Sequence, residues 1–154
     1  INRIFLDKQD VSEEIRTPEV TKYASSISAF GCVREKLVRQ QRELAKAGGA
    51  VLEGRDIGTV VLPDAGLKIF LTAGIEQRAE RRRKDFLEKN IDIPLDELKK
   101  QIEERDQNDS TRSHSPLKKA ADAIEIDTSN LSIEAQTGLI VRLAKDRIKL
   151  INNK

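Results

Sequence analysis

The chain has 154 residues, enough for one ordinary domain with a core of useful size. Its 28 Lys and Arg against 26 Asp and Glu leave a net charge of +2, which argues against a general nucleic-acid coat but leaves room for a local basic pocket. One cysteine, Cys32, excludes an intramolecular disulfide, and no apolar run approaches the ~18 residues of a membrane span. Aromatic residues are only 3% of the chain, so Leu, Ile, Val and Ala must fill the core. No signal peptide is read at the start, and a reducing, cytoplasmic setting is expected.

In chain order, Arg3–Leu6 and Val11 suggest a small hairpin around Asp7-Lys8-Gln9-Asp10. Thr17-Pro18-Glu19 reads as a helix start, with Thr as N-cap, Pro at the first helical position and an acid in the first turn. That helix is predicted to reach about Ala29. A second is predicted from about Cys32 to Ala47, with Val33, Leu37 and Leu44 on one side and Gly48-Gly49 as its stop. Cys32 reads as a small packing residue and His114 as a surface residue, since neither has a chemical partner nearby in sequence.

Ala50–Leu52 and Leu67–Leu71 are short continuous apolar runs, as buried parallel strands would be. The loop Gly54-Arg55-Asp56-Ile57-Gly58-Thr59 follows the first of them. In open α/β sheets, ligands sit beyond the carboxyl ends of strands, so Arg55 and Asp56 mark a candidate site. Helices are predicted from Ile75 to about Lys89 and from Leu95 to about Asn108, the latter with Leu95, Leu98 and Ile102 on one face. Asp109–Leu117 reads as a polar loop and Ala123–Asp127 as a third strand. A last helix is predicted from Ile133 to about Ile151, with Ile133, Ile140, Leu143, Ala144 and Ile151 at helical spacing. The order helix, helix, strand, helix, helix, strand, helix predicts an α/β fold with a parallel sheet.

Arginine is unevenly placed. Arg78, Arg81 and Arg82 share one face of a predicted helix, and Arg105 and Arg112 bracket Asp109 at i−4 and i+3. A solvated face, with Glu76, Glu80 and Asp85 as partners, explains each cluster taken alone. Together with Arg55 at a strand end they suggest phosphate recognition. The planar guanidinium makes bidentate contacts and keeps its charge, and phosphoryl transfer needs positive charge spread along the reacting groups.

Gly54-Arg55-Asp56-Ile57-Gly58-Thr59-Val60-Val61, Pro63-Asp64-Ala65, Lys68-Ile69-Phe70-Leu71, Arg78-Ala79-Glu80-Arg81-Arg82 and Glu104-Arg105-Asp106 with Asp109 and Arg112 together resemble bacterial cytidylate (CMP) kinase. Thr17-Pro18-Glu19-Val20, Ala24-Ser25 and Val33-Arg34-Glu35 extend the resemblance upstream, so it covers about Ile15 to Leu131 in order. It implies a P-loop nucleoside-monophosphate kinase core with a parallel sheet and a helical lid. Residues 1–16 would be the tail of an acceptor-binding insert, 17–75 and 109–154 core, and 76–108 the lid region. The implied activity is transfer of the ATP γ-phosphoryl group to CMP or dCMP, with Mg²⁺.

The resemblance also implies roles. Ser25, Arg34 and Asp56 would face the cytosine and Arg55 would hold the CMP phosphate. Asp109 would bind the ribose, oriented by Arg105 and Arg112, which with Arg55 lie near the reacting phosphates. Arg78, Arg81 and Arg82 would close with the lid on ATP. No metal ligand is assigned to this chain; Mg²⁺ would be held mainly by the nucleotide and by the family's glycine-rich loop, G-x-x-x-x-G-K-[ST]. That motif is not in this sequence, and the family pattern would place it ahead of Ile1. The chain therefore reads as the C-terminal portion of such a kinase, inactive alone and monomeric at full length, with neither a nucleic-acid nor a membrane partner. Two other readings stay open: a catalytically inactive pyrimidine-monophosphate-binding module, and a helical interaction domain with solvated arginines.

Overall fold

The computed structural model describes residues 3–152, with the side chains of Pro18, Lys22, Ser25 and Asn152 outside the described set. A hairpin opens it: β1 (Phe5–Leu6) pairs antiparallel with β2 (Gln9–Asp10). The turn residues Asp7 and Lys8 both have positive φ, 48° and 71°, which gives a two-residue turn the twist that suits a hairpin. Ser12 ties the hairpin base, donating to Asp10 Oδ1 and accepting from the Ile4 amide at 2.9 Å.

Helix α1 (Pro18–Ser28) begins as its sequence predicts, with Thr17 Oγ1 accepting from the Val20 amide at 3.3 Å. Helix α2 (Gly31–Ala45) follows, and Gly48 and Gly49 adopt the left-handed conformation that glycine reaches without steric cost. Val33 and Leu37 are half-buried, but Leu44 is exposed, and so is Cys32, which is not the packing residue expected.

The run Ala50–Leu52 is not the buried strand expected of it. Among the described residues no strand pairs with it, and Val51 is 98% exposed. Extended backbone becomes a strand only when a neighbour takes up its N–H and C=O groups. The following Gly54–Thr59 segment is not a plain loop either: Ile57–Val61 form one wide π-helical turn.

Strand β3 (Ile69–Thr72) lies parallel to β4 (Ile124–Asp127), with Ile69 opposite Ile124 and Thr72 opposite Asp127. Between them run α3 (Ile75–Leu87) and α4 (Leu95–Thr111), and α5 (Ile133–Asn152) follows β4. The expected α/β architecture with a parallel sheet is thus found, with two parallel strands rather than three among the described residues. Below the sheet, Lys68 Nζ donates to both carboxylate oxygens of Asp122 at 2.8 and 2.9 Å, and Arg147 of α5 donates to the Gly66 carbonyl at 2.6 Å.

The tightest apolar packing is between α3 and α4, where Ala79, Leu98 and Ile102 are buried and Ile75, Phe86, Ile93 and Leu95 close around them. Leu95, Leu98 and Ile102 meet α3 as their spacing predicts. On α5 the stripe is only partly covered: Ile140, Leu143 and Ala144 are half-buried, while Ile133 and Ile151 are exposed.

Helix α4 runs through Asp109, which the sequence places in a loop. Within the helix the two hydroxyls bond back one turn rather than forming a turn of their own: Ser110 Oγ donates to the Asp106 carbonyl and Thr111 Oγ1 to the Gln107 carbonyl, each at 2.7 Å. The i−4 and i+3 arginines of Asp109 add helical ion pairs.

Candidate functional site

Four segments meet around one cavity, α1 among them, and three of them carry its charged residues. Helix α2 supplies Arg34, the turn after Gly54 supplies Arg55 and Asp56, and the end of α4 supplies Arg105 and Asp109, with Arg112 just beyond it. The cavity is about 160 Å³. Arg34 Nη2 donates to Asp56 Oδ2, and both side chains are at least nine-tenths buried. This pair joins α2 to the start of the π-helical turn.

Asp109 is the hub of the second group. Arg55 Nε donates to its Oδ2 at 3.1 Å, Arg105 Nε lies 3.7 Å from the same oxygen, and Arg112 Nη1 lies 3.6 Å from Oδ1. Asp109 and Arg112 are buried, whereas Arg55 and Arg105 are about 40% exposed and reach toward the mouth. Arg112 is also fixed from behind, its Nε donating to the Ser115 carbonyl at 2.7 Å.

Four guanidinium groups against two carboxylates leave an excess of two positive charges on the lining. Several buried donors also lack an acceptor among the described residues: Arg34 Nε, Arg105 Nε and Arg112 Nη2. An unmet buried donor costs about 1–3 kcal/mol, more when charged. Excess positive charge and unmet N–H groups together fit an anion with several acceptor oxygens. They do not fit a divalent cation, because both carboxylates already face guanidinium groups.

Gln41, not singled out in the sequence, also lines the cavity, and its Oε1 is buried without a hydrogen-bond partner among the described residues. The signal was available: Gln41 is seven residues after Arg34, two helical turns along the same face. Ser28 of α1 lines the cavity as well. The side chain of Ser25 lies outside the described residues.

The arginines of α3 do not act as one cluster. Arg78 pairs with both carboxylate oxygens of Asp106 on α4, and this partner raises its pKa above the ordinary guanidinium value. Arg81 donates to the carbonyl and the hydroxyl of Thr128, just past the end of β4. Arg82 lies 5.5 Å from the centre of the Phe86 ring; burial, and then the nearby Arg105 charge, hold its pKa below the ordinary value. Among the described residues the expected intrahelical acids do not pair with these arginines, and Glu76 pairs with Lys99 of α4 instead. Of the three, Arg82 is the one whose pKa shift registers the like charge of the cavity residue Arg105.

An α/β fold carrying a cationic cavity lined by a turn and three helices fits the binding of an anion such as a phosphate group. The cytidylate kinase family model matches residues 1–146. The cytidylate kinase of Bacillus cereus (strain B4264) is 57% identical over 131 residues, and that of Bacillus thuringiensis (strain Al Hakam) is 56% identical over the same length. The cytidylate kinase of Bacillus anthracis (strain CDC 684) is likewise 56% identical. This chain belongs to the cytidylate kinase family. Each alignment covers 85% of the chain, which spans 58% of the length of these relatives.

Proposed function

We propose that the chain supplies the acceptor half of a kinase that transfers the γ-phosphoryl group of ATP to CMP or dCMP, giving CDP or dCDP. The observation that carries this reading is the cavity, with two excess positive charges and unmet N–H groups on Arg34, Arg105 and Arg112. Arg55, at the mouth, takes the acceptor phosphate, with Arg105 and Arg112 spreading positive charge over the reacting oxygens.

In this reading Arg34, Asp56 and Ser25 face the cytosine. Arg34 occupies Asp56 Oδ2, and a carboxylate has lone pairs on its second oxygen for the N4 amino group. Uracil presents a carbonyl there, so Asp56 discriminates by repulsion as well as by attraction. Asp109 orients the ribose, itself fixed by its three arginines. Positioning and charge carry phosphoryl transfer, so no strong general base is required of these residues.

Residues 76–108 then form the lid, whose Arg82 is near enough to Arg105 for their like charges to repel, a repulsion that an incoming phosphate would relieve. Arg78 ties α3 to α4 within the lid through Asp106, and Arg81 ties the lid to the end of β4. Mg²⁺ accompanies ATP, and no ligand for it is assigned among the cavity residues. Residues 1–16 belong to the acceptor-binding insert, and 17–75 and 109–154 to the core.

The test is a coupled assay of ADP release with ATP, Mg²⁺ and CMP, run on this chain and on a chimaera restored to family length with the glycine-rich loop of a relative. Turnover by the chimaera and binding of CMP without turnover by the chain alone are expected. A chimaera that binds ATP but leaves CMP unphosphorylated contradicts the reading.

A further inference from the structure

Arg42 was given no role by the resemblance, yet it touches the backbone that carries the site. The π-helical turn converges on Asp56: its carbonyl accepts from the amides of Thr59 at 3.3 Å, Val60 at 2.8 Å and Val61 at 3.2 Å. The Leu62 amide closes the next wide turn onto the Ile57 carbonyl at 2.7 Å. Such a turn ends with carbonyls that have no partner within it. Arg42 answers two of them at once: Nε donates to the Val61 carbonyl at 2.9 Å and Nη2 to the Val60 carbonyl at 2.8 Å. A planar guanidinium spans two adjacent carbonyls with two separate nitrogens in a fixed fork, a geometry that a single ammonium nitrogen does not reproduce.

Helix α2 therefore grips the turn at both ends. Arg34 holds the side chain of Asp56 at its start, and Arg42, eight residues along the helix, holds the backbone at its finish. The Lys68 side chain also packs close to the turn: a Cβ placed on Gly58 would lie 3.3 Å from Lys68 Cδ.

We propose that Arg42 is a positioning residue for the acceptor site, fixing the turn so that Arg55 and Asp56 keep their geometry toward the phosphate and the base. It touches neither ligand, and the proposal rests on the acceptor-site reading above.

The test compares wild type with Arg42→Ala, Arg42→Gln and Arg42→Lys, with Arg39→Ala as a control for lost positive charge on the exposed side of α2. CMP and UMP affinities are measured by calorimetry, and amide hydrogen exchange is followed over residues 57–62. Arg42→Ala is expected to weaken CMP by about tenfold, to lower the preference for CMP over UMP and to speed exchange in the turn. Arg42→Lys and Arg42→Gln, each able to reach one carbonyl, should recover part of both losses, while Arg39→Ala matches wild type. A general loss of stability would weaken both nucleotides alike, so an unchanged preference overturns the proposal. Wild-type CMP binding that Arg42→Ala leaves intact, or unchanged exchange at 57–62, also overturns it. Failure of wild type to bind CMP overturns the acceptor-site reading instead.

Discussion

Replacing Asp109 by Asn removes the single carboxylate that three arginines share. Arg112 is almost fully buried, so leaving its charge without this partner costs about 3 kcal/mol, the low end for breaking a buried pair. Arg55 and Arg105 are about 40% exposed and water compensates most of their loss, leaving ~0–1 kcal/mol each. The expected total is about 3–5 kcal/mol, or roughly a 6–20 °C drop in melting temperature for a chain of this size. Thermal and urea unfolding measure it. Inorganic phosphate should then stabilise Asp109→Asn more than wild type, because the variant presents three unanswered guanidinium groups. In the Asp109→Asn background, Arg112→Ala should cost less than it does alone, since the two share one interaction. A loss under about 1 kcal/mol with no extra gain from phosphate would refute the view that Asp109 balances the arginine cluster.

Leu98→Ala should cost about 2–5 kcal/mol, because the side chain is fully buried between α3 and α4. Amide exchange should rise first in those two helices, and uniform protection there would contradict a local core. Lys68 holds the pKa of Asp122 below its ordinary value of 3.8. This stabilisation is present above the ordinary value and is lost as pH falls through the lowered one. Asp122→Asn should therefore melt below wild type at neutral pH, and the two curves should converge in acid; a difference that persists in acid would show that the pair is not the cause.

Much of the fold was legible because local signals and tertiary contacts agree. Thr17-Pro18 specifies the start of α1, and Leu95, Leu98 and Ile102 meet α3 as their spacing implies. Alternation of Ile124 and Ile126 with acids gives β4, with Ile126 buried. Ala50–Leu52 misleads because apolar content alone does not make a strand; its pairing depends on a neighbour elsewhere in space. Leu44 misleads in the same way, since helical spacing identifies a face without saying whether anything covers it. Asp109 reads as a loop residue because Asp, Ser and Thr favour turns, and here Ser110 and Thr111 bond back along α4 while Asp109 pairs with arginines.

The cavity residues were legible as residue types in a pattern, but their pairings were not. Arg105 and Arg112 lie within helical reach of Asp109, whereas Arg55 is 54 residues away and Arg34 meets Asp56 across 22. The π-helical turn has no sequence signature, so its clamp by Arg42 could be found only in three dimensions.

The most direct test of the central claim is calorimetric titration of this chain with CMP and with UMP, in wild type and in Asp56→Ala. The account predicts one CMP site, weaker binding of UMP, and loss of that difference in Asp56→Ala. Equal affinity of the wild type for the two nucleotides, or no binding of CMP, would contradict it.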